Sequence, residues 1–113
     1  MFPEIHGIEE IIAWYGKWPS FHDAEILELH LEREGPCRLK IYNVWGKGAV
    51  VTFKMEEVTD LELADFSSQN VIGDLELKRT PAGFRLTLTP CYGLAGYIEA
   101  KRMSVELSAG SLP

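Results

Sequence analysis

The stretch Trp18-Pro19-Ser20-Phe21-His22-Asp23-Ala24-Glu25 places an imidazole and two carboxylates within four residues, beside two aromatic side chains. Such a set could ligate a metal ion, or could make His22 a general base oriented by a carboxylate. Side-chain alternation argues against both. Adjacent residues on an extended chain point to opposite faces, so His22 and Asp23 meet at one ion only if the backbone bends. Asp23 and Glu25 do share a face, but they share it with Leu27. The same residues read more simply as structure. Trp18 and Phe21 would close the end of the core and Pro19 would set the turn. Asp23 would accept backbone N–H groups at a strand entry, and His22 would be a hydrogen-bonded turn residue. This reading assigns no catalytic residue, no metal ligand set and no cofactor.

The remaining reactive side chains add little. His6 precedes the first helix and His30 lies between Glu28 and Glu32. His22 and His30, on one strand, would be roughly 26 Å apart, too far for a shared zinc ion. Neither Cys37 nor Cys91 has a histidine beside it in sequence, and no Gly-x-Ser-x-Gly elbow occurs. Both cysteines read as small core residues at strand ends. Gly93-x-x-Gly96 lacks the Lys and Ser/Thr that complete a phosphate-binding loop. Trp45, with Tyr42 and Val44, could form an apolar patch, covered by a second subunit, a partner or the helix, of which the helix is the expected cover.

Elements that must position these residues are legible from periodicity. Ile8, Ile11, Ile12 and Tyr15 make one stripe of a helix over 8–16, with Glu9 and Glu10 in its first turn and Gly16 and Pro19 as the stop. From Ala24 the period becomes two, with Leu27, Leu29 and Leu31 expected on the dry face. A three-residue loop centred on Gly35 would pair Leu31 with Leu39, Leu29 with Ile41 and Glu32 with Arg38. A Gly46-Lys47-Gly48 loop would pair Leu39 with Met55, Ile41 with Phe53 and Asn43 with Val51, with Gly48 left-handed. A two-residue Gly46-Lys47 turn would instead bury Lys54 and Thr52, so side-chain parity disfavours it.

Further strands are expected at 60–66 (Leu61 and Leu63 inward), 71–78 (Leu75 and Leu77 inward), 84–89 (Leu86 and Leu88 inward) and 98–107, although Glu99-Ala100-Lys101-Arg102 could also be helical. A four-residue Thr80–Gly83 loop would join the second and third of these, and 91–96 reads as loop. The expected architecture is a single α+β domain over 1–113: a short N-terminal helix packed on a largely antiparallel meander of about six or seven strands.

Length, composition and charge bound the function. A chain of 113 residues, 46% hydrophobic and 25% charged, can build a core without disulfides or a structural metal. The N-terminus lacks the pattern of a signal peptide and no apolar run is long enough to span a membrane, so the expected compartment is the cytoplasm. The net charge is −6 and unevenly spread: residues 58–77 carry five acids and no base. Nucleic acid is therefore a disfavoured partner and a basic protein a permitted one.

At Trp18-Pro19-Ser20-Phe21-His22-Asp23-Ala24-Glu25 the chain resembles the immunity protein 50 family of bacterial polymorphic toxin systems. The likeness takes in the alternating strand that follows, Leu61-Glu62-Leu63 leading to Asn70-Val71, and Tyr92-Gly93-Leu94-Ala95-Gly96. The resemblance implies a non-catalytic protein that neutralises a cognate toxin by binding it, and it carries over no catalytic residue. An acidic sheet domain suits a basic toxin such as a nuclease, because complementary charge speeds encounter. Glu28, Glu32 and Glu62, with Trp45 as an aromatic anchor, are the expected contact residues. Two other readings remain open: a small metal-binding or hydrolytic domain centred on His22, Asp23 and Glu25, and a homodimer paired through a sheet edge.

Overall fold

The computed structural model describes residues 2–109. One short helix, α1 (Ile8–Tyr15), precedes six strands: β1 (Glu25–His30), β2 (Cys37–Asn43), β3 (Ala49–Ala64), β4 (Val71–Thr80), β5 (Gly83–Tyr92) and β6 (Ala95–Ala109). All strand pairs are antiparallel, so the architecture is α+β with a small helical share. No helix among the described residues is long and apolar enough to cross a membrane.

The helix forms where its apolar stripe predicts. Ile8 and Ile11 are buried, and Gly16 caps the end in the left-handed region, its N–H donating to the Ile12 carbonyl at 2.7 Å. The helix lies against β6. His6 bridges to Ser104, and the Val105 N–H donates to the His6 carbonyl at 2.8 Å.

The strands close in the order β1-β2-β3-β6-β5-β4. The expected single meander is therefore two three-stranded meanders, joined where β3 pairs with β6 instead of β4. The residues expected as two strands, 49–55 and 60–66, are one strand of 16 residues. Glu57, at φ 55°, lies just before the register shift between Val58 and Asp60 that bends β3. This bend lets β3 and β6 serve both halves of the barrel. Closure between β1 and β4 is slender. It rests on the Glu25–Val71 pair and on backbone bonds from Asp23 to Ile72, Ile72 to Ala24 and Ile26 to Asn70.

Inward residues follow the alternation in β2, β4 and β5, but in β1 a bulge at Leu27 puts Ile26, not Leu27, in the core opposite Ile41. Beyond that bulge, both early hairpin registers differ by two residues from those expected. Leu39 lies opposite Leu29, not Leu31, and opposite Phe53, not Met55; Ile41 faces Val51 and Asn43 faces Ala49. A shift of two preserves which face each side chain takes, so parity cannot detect it. The connecting segments are longer, at 31–36 and 44–48, and Gly46, not Gly48, is the left-handed residue. Leu31 is consequently exposed. The β4–β5 turn is tighter than expected, with Thr80 paired to Gly83. Leu75, Leu77, Leu86 and Leu88 are buried as the alternation requires. Leu61 is not: it faces the same side as the buried Ile98 opposite it, yet is 39% exposed because it lies on the sheet's rim.

A buried polar pair sits under the helix end. Neither the Tyr15 hydroxyl nor the polar atoms of fully buried Asn43 meets hydrogen-bond geometry with any described residue. Burial raises the Tyr15 pKa; the adjacent Asn43 amide partly offsets this, and Tyr42 raises it further. Replacing an unpartnered buried hydroxyl by hydrogen removes a desolvation cost. Tyr15→Phe is therefore expected to be neutral to stabilising, by up to about 1 kcal/mol, in urea unfolding. A loss above about 1 kcal/mol would show that the hydroxyl has a partner.

Candidate functional site

The segment between α1 and β1 bends sharply. Phe21 and Asp23 both have positive φ, 60° and 67°, a region uncommon for residues other than glycine. The bend is over-determined. The Ala24 N–H donates to the Phe21 carbonyl at 3.0 Å and the Asp23 N–H to the Ile72 carbonyl at 2.8 Å. Pro19 is buried, and the Phe21 ring is fully buried against Trp18 and Phe53 in edge-to-face contacts. Trp18 and Phe21 thus close the core as their positions predict. Asp23 departs from expectation: its own N–H donates at the strand entry, and its carboxylate turns toward the imidazole.

Alternation fails in this bend for that reason. His22 Nε2 lies 3.6 Å from Asp23 Oδ1, both side chains being about half exposed. The His22 ring is oriented from behind by its Nδ1, 2.8 Å from the Gly73 carbonyl. Because a carbonyl only accepts, Nδ1 carries the proton and the neutral ring's Nε2 lone pair faces outward. The His22 carbonyl is held in turn by the Trp45 indole N–H at 2.6 Å.

The third member of the cluster comes from β5. Cys91 is exposed, in contrast to the core placement expected for it, whereas Cys37 is buried. The ligand atoms of His22, Asp23 and Cys91 lie within 4.8 Å of one another, and Glu25 is outside this group. The β4–β5 ladder explains the placement. Val71 pairs with Tyr92 and Ile72 with Pro90, so Cys91 is the extra residue of a bulge; Gly73 is skipped in the same way between Ile72 and Asp74. Bulges re-aim side chains. Here one offers a carbonyl to His22 and the other turns a thiol toward it.

Trp45 belongs to a neighbouring groove of about 690 Å³ whose aromatic walls include Trp14 and Trp18. The helix covers this patch only in part. The Trp14 indole donates to the Lys47 carbonyl at 2.8 Å and the Lys47 ammonium sits over the Trp14 ring, yet Trp45 and Val44 remain 49% and 50% exposed.

The expected carboxylates lie elsewhere. Glu28 is 3.6 Å from Arg38, and Glu32 is 2.7 Å from His30. Glu32 stands in the β1–β2 connection, at the end of β2 opposite Trp45 and more than about 20 Å from it by strand rise, whereas Glu28 pairs with Lys40 midway along β2. Glu62 is on the second half of β3. Beyond Met55, β3 pairs with β6 alone, so residues 56–64 form an open edge. A cleft of about 370 Å³ connects the start of that edge, at Glu56 and Glu57, to Glu32 and Glu34. Arg102 engages Glu57 and Glu56 there. Further along, the Tyr97 hydroxyl donates to Asp60 at 2.8 Å, and this bond is the first cause raising the Tyr97 pKa. Arg85 stacks on the Tyr97 ring and pairs with Glu99 at 3.0 Å. Glu62 and Asp65 have no ion-pair partner among the described residues.

Compared with protein-family models, with curated proteins and with solved structures, the chain gives no match.

Proposed function

We propose that the chain is a non-catalytic binding protein of the immunity type, which neutralises a cognate basic protein toxin through the open edge of β3. One observation carries this reading: the unpaired edge 56–64 is lined by carboxylates and continues into Glu32 and Glu34 across the adjoining cleft. Arg102 pairs with Glu56 and Glu57, and Arg33 also lines the cleft. Glu62 and Asp65, however, have no ion-pair partner among the described residues, and residues 58–77 contain no lysine or arginine. Acidic side chains on a free edge discourage self-pairing and attract a Lys/Arg-rich surface. The half-exposed Leu61 and the exposed Phe66 supply apolar contact beside the charges. Neither Glu28 nor Trp45 lines that cleft; Trp45 lines a separate groove.

The test is calorimetric titration against the protein encoded by the adjacent gene. Binding is expected to weaken steadily as salt rises. Glu62→Lys should reduce affinity about tenfold at low salt, equivalent to about 1.4 kcal/mol. Glu106→Lys, on the distant half of β6, should leave it unchanged. Absence of binding, or equal effects of the two reversals, would exclude the β3 edge as the contact surface.

A further inference from the structure

We infer that His22, Asp23 and Cys91 form a binding site for a zinc-class divalent ion, distinct from the β3 edge and independent of the function proposed for it. The spacing fits. Nitrogen and oxygen donors about 2.0–2.1 Å from a tetrahedral ion are about 3.3–3.4 Å apart. His22 Nε2 and Asp23 Oδ1 are 3.6 Å apart before any ion draws them in, and Cys91 Sγ falls within the same 4.8 Å group. A small rotation of exposed side chains completes the set.

The ring orientation is the second argument. A ligating histidine characteristically donates its other ring N–H to a carbonyl or carboxylate, which fixes its tautomer and direction. The Gly73 carbonyl does this for His22 at 2.8 Å, leaving Nε2 directed to Asp23. The third argument is backbone geometry. Two non-glycine residues with positive φ flank His22, and a β-bulge presents Cys91. Strain and bulges concentrate where side chains must be aimed against the preference of regular structure.

Donor type selects the ion. Thiolate and imidazole favour zinc, while magnesium and calcium favour all-oxygen sets. Three protein donors leave a fourth position, and all three donors are solvent-exposed, so that position is open to water or an incoming ligand. The bound ion would tie β5 to the α1–β1 bend, close to the slender β1–β4 closure.

The experiment uses reduced, chelator-stripped full-length protein titrated with Co²⁺ and Zn²⁺. One equivalent of Co²⁺ should produce a thiolate-to-metal charge-transfer band, and Zn²⁺ should displace it. Cys91→Ser should abolish the band and weaken zinc at least about 100-fold, the upper end of what perturbing an outer-sphere partner costs. Asp23→Asn, which tolerates the left-handed backbone, should keep the band and weaken zinc about 10-fold or more. Cys37→Ser and Glu25→Gln should change neither quantity. Zinc should raise the melting temperature of the parent and not of Cys91→Ser. A zinc Kd weaker than about 1 mM, a band lost in Cys37→Ser, or unchanged affinity in Cys91→Ser or Asp23→Asn would overturn the assignment.

Discussion

Phe21→Ala is expected to lower the unfolding free energy by roughly 3–5 kcal/mol, the range for truncating a fully buried aromatic side chain. Phe21 has no exposed surface and packs at 5.4 Å from Trp18 and 5.9 Å from Phe53 between ring centroids. It also holds a φ of 60°, a conformation that costs about 1–3 kcal/mol for a non-glycine residue. Alanine retains a Cβ, so truncation removes the packing without relieving that strain. Phe53→Ala removes a neighbouring ring from an ordinary strand position, and the two should couple by about 0.5–3 kcal/mol in a double-mutant cycle. Urea midpoints with unchanged slopes provide the measurement. A loss below about 1.5 kcal/mol for Phe21→Ala would mean that the bend is held by its hydrogen bonds rather than by the aromatic cluster.

Gly96→Ala should cost about 2–4 kcal/mol, from an unfavourable backbone conformation together with overpacking. Gly96 has φ 129°, pairs with Leu63 and Leu88, and lies so close to β3 that a Cβ would collide with the Glu62 carbonyl. The obstructing atom is backbone, so no rotamer change can accommodate it. The strand that would have to move is the one carrying the acidic edge. Hydrogen exchange should therefore accelerate in residues 60–64, and partner affinity should fall together with stability. Loss of stability with unaltered exchange in β3 would place the strain elsewhere.

The helix and the inward faces were legible because both depend on local periods. Ile8, Ile11, Ile12 and Tyr15 specify a helical stripe within two turns. The leucines of β4 and β5 alternate cleanly enough to identify the core side. Registers were less legible, since a shift of two residues leaves side-chain parity unchanged, and the bulge that exchanges Ile26 for Leu27 in β1 carries no glycine or proline to announce it. The continuity of β3 was hidden by Glu57, which departs from strand geometry without being a glycine or proline.

Of the candidate site, the sequence alone marked out the Trp18–Glu25 stretch, the aromatic anchors Trp18 and Phe21, and the basic-free stretch that includes Glu62, but it read His22 and Asp23 as turn residues and not as ligands. It also determined the helix, the alternating strands and the α+β class, because these rest on interactions within a few residues. Tertiary structure alone decided that His22 and Asp23 converge, since that needs a bend stabilised by Ile72 from another strand. It alone brought Cys91 to them in place of Glu25, through paired bulges in β4 and β5. It alone left residues 56–64 without a second neighbour, because β2 stops at Cys37 while β3 runs on. Each of these outcomes depends on pairing between distant segments, for which side-chain type and spacing along one strand hold no record.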